Sequence, residues 1–414
     1  MHFSARASVS HGRPSLVEVA AGEAAPSARS GEMNEPRLAM VLWNGGIGGA
    51  EIFMASLAAR LRKLEVDTTI AFVSSPYPLV ERAPRDGVPY LSLGFRRGRD
   101  IVRHPRRFAA AVTGAGCDGA LLVECGFMGA ALRAGGYSGT IVAIEHGAVF
   151  ELAGYSRGRR SLYRLSRRFG AISNDAEVGV SDFVLEQLRA QPHAPRTRRI
   201  YNGIDSPSAL GDDPDGQPDV VRIGFVGRLV AGKGLEYVIR ALARVRLRTP
   251  ARLLIAGDGP ERPRLGSLAQ SLQIGSDLEW VGPVADVPAF WRRCDIAVVP
   301  SDGPESFSMA TLEAMACARP VVASRIGAIP ELVVDGVTGT LVPPGDVEAL
   351  AGALAAYAER PDLRRIHGEA ARARAASRFA LDDCARDYVD LFASLAKPTR
   401  PWALAASGPG GKTQ

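Results

Sequence analysis

The chain has 414 residues, of which 46% are hydrophobic and 23% charged, and its formal net charge is +6. This composition excludes collagen-like, coiled-coil and wholly disordered proteins, and the length predicts two domains. Five scattered cysteines without a Cys-x-x-Cys pair argue against a disulfide framework or a zinc site and fit a reducing compartment. The longest charge-free runs, 38–50 and 68–80, are shorter than the ~20 apolar residues that a membrane-spanning helix needs.

The first half of the chain predicts a tail followed by one α/β domain. Residues 1–35 have no periodic apolar face and no signal-peptide core, so we predict a disordered tail there, or a true start at Met33. An apolar strand at 37–43, a glycine-rich turn and a helix at 50–64 then open a parallel α/β unit. We assign this unit to a first domain at 36–205. Further strands are predicted at 68–73, 120–124, 140–145 and 177–181.

The second half predicts another α/β domain behind a linker. The stretch 211–219 is acidic and rich in proline and glycine, as exposed linkers are. A new series of strands and helices follows, which predicts a second domain at 206–378. Its strands are expected at 220–226, 252–256, 278–281, 296–299, 320–323 and 339–342. An amphipathic helix at 381–395, within the segment 379–397, and a flexible tail at 398–414 complete the chain.

Charge is distributed unevenly between the halves. Residues 1–205 hold 26 Lys or Arg and 19 Asp or Glu, net +7, whereas residues 206–414 hold 24 and 25, net −1. Arginines cluster at 96–99, 103–107, 157–160, 164–168 and 196–199. These clusters are either solvated faces and helix ends or a basic rim for an anionic membrane, where each arginine contributes ~1 kcal/mol. Nucleic acid is not an expected partner, because interleaved aromatic residues are lacking.

The strongest functional pattern follows the predicted strand 296–299. A turn leads into a helix that begins at 306–308 and ends at 317, and Ser306 or Ser308 can cap its N-terminus. Free N–H groups at such a helix end bind anions and suit a diphosphate. Glu305 lies just before the helix and Glu313 about two turns into it, where both can accept hydrogen bonds from sugar hydroxyls. Alternatively, Glu305 is a turn residue and Glu313 a surface glutamate.

A second glycine-bearing turn, 227–234, follows the strand 221–226 and precedes a helix at 235–245. Arg228 and Lys233 lie five residues apart in this turn, and both can face the same diphosphate. The turn is not a Walker loop, so it does not predict an ATPase. Only four of the 50 basic residues are lysine, and Lys233 is the only lysine between Lys63 and Lys397. This isolation indicates either a need for a compact ammonium charge or chance.

Together these motifs resemble the donor domain of the family 4 (group 1) retaining glycosyltransferases. The resemblance rests on Gly227-Arg-Leu-x-x-x-Lys233-Gly, Ile255-Ala-Gly-Asp-Gly-Pro260, Val281-Gly, Glu305-x7-Glu313-Ala-Met-Ala and Gly327-x-x-Pro-Glu331 with Gly336-x-x-Gly339. The first half resembles the family's acceptor domain more loosely, through Gly45-Gly46-Ile47-Gly48-Gly49-Ala-Glu51, Glu145-His146-Gly147, Val180-Ser181 and Tyr201-Asn-Gly-Ile-Asp205. The resemblance covers residues 37–395 and implies the GT-B fold, in which two Rossmann-like domains with parallel sheets face a central cleft.

The resemblance implies a role for each matching residue. Catalysis is assigned to Glu305, which contacts the donor sugar, to His146 in the cleft, and to Arg228 and Lys233, which bind the diphosphate and steady the leaving group. The remaining residues expected to contact the donor are Gly48, Gly49 and Gly227 near the phosphates, the N–H groups of Phe307, Ser308 and Met309, Glu313 at the ribose, and Gly257, Gly259 and Val284 around the base.

Three positions depart from the family pattern. Ser306 and Ser308 stand where the family usually has glycine, and Ala328 follows Gly327 in place of a second glycine. A serine side chain can still cap the helix, but it changes how closely the sugar approaches. His146 follows an apolar strand directly, where ligands bind in open α/β sheets, and the alternative is a structural histidine.

The resemblance further implies a cytoplasmic hexosyltransferase that acts in cell-envelope polysaccharide or glycolipid synthesis. It would move a sugar from a nucleotide-sugar, with UDP favoured and GDP-mannose as an alternative, to a glycan or lipid-linked acceptor. Peripheral contact with the inner face of the membrane is expected through the basic first domain. No cofactor and no metal are expected, because protein cations hold the diphosphate and the acidic group 212–215 lies in the linker.

Other activities remain open on the same fold. They are a nucleotide-sugar epimerase, a sugar phosphorylase, and an inactive nucleotide-sugar-binding subunit. The intact charged residues of the motifs argue against the last of these. A dehydrogenase is not expected, since neither domain opens with Gly-x-Gly-x-x-Gly and a following acidic residue.

Overall fold

The structure is a computed structural model of the whole chain. It describes residues 16–18, 35–43, 48–74, 87–114, 117–123, 126–147, 156–191, 196–207, 220–245, 249–396 and 402. The predicted linker at 211–219, and nearly all of both predicted tails, lie outside the described residues.

The first domain alternates strands and helices around one sheet. Its strands are β1 (Leu16–Glu18), β2 (Arg37–Leu42), β3 (Asp67–Phe72), β4 (Tyr90–Ser92), β5 (Gly119–Val123), β6 (Thr140–Glu145), β7 (Ala176–Gly179) and β8 (Arg196–Arg199). Its helices are α1 (Gly49–Lys63), α2 (Gly98–Arg103), α3 (Pro105–Gly114), α4 (Met128–Ala134), α5 (Arg157–Ser173) and α6 (Asp182–Arg189). The strands pair in parallel in the order β1-β4-β3-β2-β5-β6-β7-β8.

The second domain repeats this plan with six strands. They are β9 (Val221–Val226), β10 (Ala251–Ala256), β11 (Leu278–Gly282), β12 (Ile296–Val299), β13 (Val321–Ser324) and β14 (Gly339–Val342). Its helices are α7 (Leu235–Val245), α8 (Arg262–Ser271), α9 (Val287–Arg292), α10 (Met309–Ala316), α11 (Ile329–Leu332), α12 (Val347–Glu359) and α13 (Pro361–Arg378), and α14 (Leu381–Leu395) follows them. The parallel order is β11-β10-β9-β12-β13-β14. The expected two-sheet α/β architecture is therefore confirmed.

Helices cover both faces of each sheet, which explains why the strands are short apolar runs. In the first domain one core lies against α1, α6 and α14, and the other lies against α2, α3 and α4. The last helix thus packs on the first domain, and its Tyr388 and Phe392 are fully buried there. Trp402, beyond the helix, stacks on Phe392 with ring centroids 4.7 Å apart.

The chain passes between the domains twice, at neighbouring points. Ile204 N–H donates to the carbonyl of Phe379 at 2.8 Å, and Leu381 N–H donates to the carbonyl of Ile204 at 3.1 Å. These bonds form a parallel bridge between Ile204 and Ala380. The segments leaving and re-entering the first domain are therefore fixed side by side.

Most strand and helix predictions are confirmed to within two residues. Three short strands, β1, β4 and β8, were not predicted. The prediction of a disordered tail is wrong at residues 16–18, which form the strand β1. The backbone of this strand pairs with Tyr90–Ser92, and the pattern of its side chains does not predict that pairing. Among the described helices, none is both long and apolar enough to span a bilayer.

Candidate active site

The glycine-bearing turn after β9 is packed backbone to backbone against the end of β10. Gly227 N–H donates to the Ala256 carbonyl at 3.0 Å. A Cβ on Gly257, whose φ is +138°, would overlap the Gly227 carbonyl oxygen, and a Cβ on Gly259 would overlap the carbonyl of Leu229. The two glycines that were expected near the base let this turn approach the next strand, and their role at the base stays a prediction.

Lys233 and Glu305 meet at the head of this turn. The Lys233 ammonium donates to Glu305 Oε1 at 2.6 Å, and the Ser301 hydroxyl donates to the same oxygen at 2.6 Å. The Lys233 side chain is 33% exposed and that of Glu305 12%. The two groups that the sequence assigns to different parts of the donor thus bind each other, and their opposite charges offset. Arg228, on the same turn, is exposed.

The helix α10 begins where the sequence predicted an anion site. Ser308 is its N-cap, and the hydroxyl accepts from Thr311 N–H at 3.3 Å and from the Thr311 hydroxyl at 2.9 Å. Of the two predicted capping serines, Ser308 therefore takes the role. Ser306 instead turns towards the first domain, where a Cβ added to Gly147 would lie 2.8 Å from its hydroxyl.

Glu313 lies half-buried in α10, so it is not the surface glutamate of the alternative interpretation. Burial raises the pKa of Glu313 to about 8, and the carboxyl is therefore mostly protonated at neutral pH. A neutral carboxyl can donate one hydrogen bond as well as accept others. The sequence alone does not reveal this protonation.

The first domain supplies the opposite wall through the start of α1 and the end of β6. A Cβ on Gly49 would lie 3.1 Å from Met309 Cβ, so the N-termini of α1 and α10 face each other closely. His146 follows β6, with its ring centroid 6.1 Å from that of Phe53. Its Nε2 is buried without a hydrogen-bond partner among the described residues. Burial lowers the pKa of His146 to about 4, so the imidazole is neutral at neutral pH.

The remaining predicted site residues take less specific positions. Val284 lies half-buried against the core of the second domain, and Gly48 is the N-cap of α1. Phe307 packs against the rings of Tyr201 and Phe379, with centroids 6.0 Å away from each. Within the described ranges, no group of three or more His, Cys, Asp or Glu is arranged to hold a metal ion.

Some arginines of two predicted clusters form ion pairs within the protein. Arg167 is buried and forms ion pairs with Glu145 and Glu177, which corrects its assignment to an exposed basic rim. Arg198 pairs with Asp387 at 3.0 Å and Arg199 with Asp182 at 2.7 Å. Long-range partners of this kind are not visible in a sequence pattern. The arginines at 96–99 and 103–107 are exposed as predicted.

Sequence comparison gives matches over both domains. Residues 47–206 match the family described as Glycosyltransferase Family 4, and residues 220–360 match Glycosyl transferases group 1. The N-acetyl-alpha-D-glucosaminyl L-malate synthase of Bacillus anthracis is 31% identical over 264 residues, which cover 61% of this chain and 67% of that protein. A D-inositol 3-phosphate glycosyltransferase of Saccharomonospora viridis is 36% identical over 45% of this chain and 46% of its own length.

The first curated relatives are matched over 21%, 46% and 39% of their own length, which is less than half in each case. Among solved structures, HepE of Anabaena in complex with UDP and glucose superimposes with a TM-score of 0.72 at 20% identity, over 87% of this chain and all of that one. At this identity the likeness shows the fold, which is GT-B.

Proposed function

Because the chain belongs to the group 1 glycosyltransferases of family 4, we propose that it transfers a sugar, with retention of configuration, from a UDP-sugar to a glycan or lipid-linked acceptor in envelope polysaccharide or glycolipid synthesis. The observation that carries the proposal is the Lys233–Glu305 contact of 2.6 Å beside the N-terminus of α10. It places a cation, a carboxylate and a helix N-terminus at one edge of the second sheet.

Each of these groups has a role in the proposed reaction. Lys233, Arg228 and the N–H groups of α10 stabilise the negative charge that develops on the departing diphosphate. When Lys233 turns to phosphate, the carboxylate of Glu305 is free to accept hydrogen bonds from the donor sugar. His146 is neutral, so it takes part as a hydrogen-bonding imidazole and not as a cation. No resident metal or cofactor is part of the proposal.

The donor is tested with the purified protein by thermal denaturation in the presence of UDP, GDP and ADP. We expect a rise of the melting temperature with UDP, since ligand binding to the folded state stabilises it. The variant Lys233→Ala should lose this shift, whereas Lys63→Ala, at the exposed end of α1, should keep it. A shift with GDP alone would overturn the UDP assignment, and an equal shift in Lys233→Ala would overturn the site.

Transfer is tested by incubating the protein with labelled UDP-sugars and lipid-linked or soluble glycan acceptors. Transfer of label with release of UDP supports the proposal. Release of free sugar phosphate in the presence of inorganic phosphate would indicate a phosphorylase, and conversion of one UDP-sugar to another would indicate an epimerase. UDP binding without any of these products would indicate a non-catalytic subunit.

We also propose that the first domain contacts an anionic membrane from its cytoplasmic side. Helices α3, α4 and α5 pack side by side on one face of its sheet. The arginines before and within α2 and α3 are exposed. On α5, Leu165, Phe169 and Ile172 recur at helical spacing and are 49%, 56% and 63% exposed, beside the exposed Arg168. An apolar stripe flanked by arginine suits insertion among acidic lipid headgroups.

The membrane proposal is tested by co-sedimentation with phosphatidylcholine vesicles with and without phosphatidylglycerol. Binding should need the acidic lipid and weaken with salt. The double variant Phe169→Ser with Ile172→Ser should bind less, whereas Ile366→Ser, an equally exposed position on α13, should bind as the wild type does. Equal binding by all forms, or no binding at all, would refute it.

A further inference from the structure

The N-terminus of α6 in the first domain is capped by side chains from both domains. Ser181 is the N-cap, and its hydroxyl accepts from Val184 N–H at 3.1 Å. The two N–H groups before that one, of Asp182 and Phe183, donate to Oε2 and Oε1 of Glu331 at 2.8 and 2.9 Å. Glu331 lies in α11 of the second domain. A carboxylate at this helix end satisfies donors that a helix leaves unpaired and is favoured by the helix dipole.

The same helix end also touches the segment that carries the catalytic carboxylate. The Ser181 hydroxyl donates to the carbonyl oxygen of Ser306 at 2.7 Å, and the Ser181 side chain is fully buried. Ser306 directly follows Glu305 in the chain. The first domain therefore holds one end of the Glu305–Ser306 segment through a single hydroxyl.

The other end of that segment is held by the loop that leads to Glu331. Ala328 N–H donates to the Glu305 carbonyl at 2.8 Å. Gly327, with φ +55°, packs so tightly on Glu305 that a Cβ would overlap its backbone. Arg374 fixes the far side of the loop, because it donates to the carbonyls of Glu331 and Leu332 at 2.8 Å. The loop that carries Glu331 is thus bonded directly to the backbone of Glu305.

Charged and polar groups of the first domain lie beside this contact. The side chain of Asp182 pairs with Arg199 at 2.7 Å and accepts from the Tyr201 hydroxyl at 3.2 Å, and Glu331 also lies close to Arg199 and Tyr201. The guanidinium of Arg199 in turn lies 4.2 Å from the centre of the Tyr201 ring. The Arg199 guanidinium therefore lies close to both acidic residues at this helix end and offsets their negative charge.

We propose that Glu331 and Ser181 are positioning residues. Together they fix the two domains against each other and hold Glu305 in place against the first domain. This inference rests on the proposed function, in which Glu305 contacts the donor sugar. Both contacts cross the domain boundary, so they exist only while α6 and α11 are adjacent. Losing them lowers the fraction of molecules with an assembled site and leaves the UDP-binding turn of the second domain unchanged.

The kinetic test compares Glu331→Gln and Ser181→Ala with Glu348→Gln, a control at an exposed glutamate of α12. In Glu331→Gln an NH2 group, which donates only, replaces one of the two carboxylate oxygens, so one of the two present hydrogen bonds is lost. We expect kcat for transfer to fall about 10-fold in each variant, with the Kd for UDP unchanged. Glu331→Gln loses a hydrogen bond to a charged group, and Ser181→Ala loses the hydrogen bond to the Ser306 carbonyl. The effects in the double variant should be less than additive.

A structural role alone would lower the yield of folded protein and change kcat and UDP affinity together. An unchanged kcat in Glu331→Gln, or a kcat loss matched by weaker UDP binding, would overturn the inference. Additive effects of the two changes would overturn the claim that they act as one unit.

A second measurement does not depend on activity. Spin labels placed at Lys63→Cys and Arg240→Cys, exposed positions of the two domains, report the inter-domain distance in a Cys125→Ser background. Glu331→Gln should broaden or lengthen the distance distribution, and Glu348→Gln should not. If the wild type proves inactive, the proposed function fails while this test still decides the inference, because an unchanged distribution in Glu331→Gln would refute it.

Discussion

Replacing Glu313 with glutamine should change how the stability of the protein depends on pH. Burial raises the pKa of Glu313 from 4.5 to about 8. Between these values the folded protein keeps the proton, whereas the unfolded chain has released it. The free energy of unfolding therefore falls as pH rises through this window. Glutamine has nearly the same shape and no titration, so Glu313→Gln should remove this contribution.

The size of the effect follows from the width of the window. Each pH unit contributes about 1.4 kcal/mol, so between about pH 5.5 and 7.5 the wild type should lose about 3 kcal/mol more than the variant. Below the unfolded-state pKa both states are protonated, so the titration of Glu313 gives no difference between the two proteins there.

Urea unfolding at the two pH values, followed by tryptophan fluorescence, measures this difference. Trp280 and Trp291 report on the second domain, in which Glu313 lies. Glu348→Gln, at an exposed glutamate, should show the pH dependence of the wild type. Parallel pH dependence in wild type and Glu313→Gln would refute the raised pKa of this carboxyl.

Three further outcomes follow from the geometry. Gly257→Ala should destabilise the second domain by about 2 kcal/mol in urea unfolding, since the added Cβ overlaps the preceding turn and the residue has a positive φ. Gly266→Ala, at a position with open space around it, should not destabilise the domain. Equal stability of the two variants would contradict the packing. Arg167→Met should cost about 3–5 kcal/mol because it removes the cation that pairs with two buried glutamates, while Arg168→Met should cost little; similar unfolding midpoints would refute the buried pairs. Burial lowers the pKa of His146 to about 4, so this residue should not cause a fall of kcat/KM below pH 6.5. If the wild type shows such a fall and His146→Gln does not, the neutral imidazole is contradicted.

The sequence predicted the sheets well, because parallel strands buried on both faces are uninterrupted apolar runs. The strand Ile296–Val299 and the helix Leu235–Val245 have the predicted bounds. The strands β4 and β8 were not predicted, each for a different reason. Tyr90–Ser92 has only three residues, and Arg196–Arg199 carries three arginines on a sheet edge.

The candidate site was predictable where its residues stand next to a strand end. Lys233 and Glu305 each follow a strand, and neighbouring parallel strands bring their carboxyl ends together. Glu331 and Ser181 were present in quoted motifs, but their contact joins positions about 150 residues apart, and no local pattern encodes such a pairing. The neutral state of Glu313 likewise depends on burial by distant segments, which spacing alone does not give.

The packing of α14 on the first domain has a consequence for synthesis on the ribosome. The first domain's core includes Leu381, Tyr388 and Phe392, which are translated after the entire second domain. A fragment that ends at 205 would leave the facing side of α1 uncovered and should aggregate or remain partly folded. During translation the first domain therefore lacks this part of its core until the last helix has emerged behind the second domain.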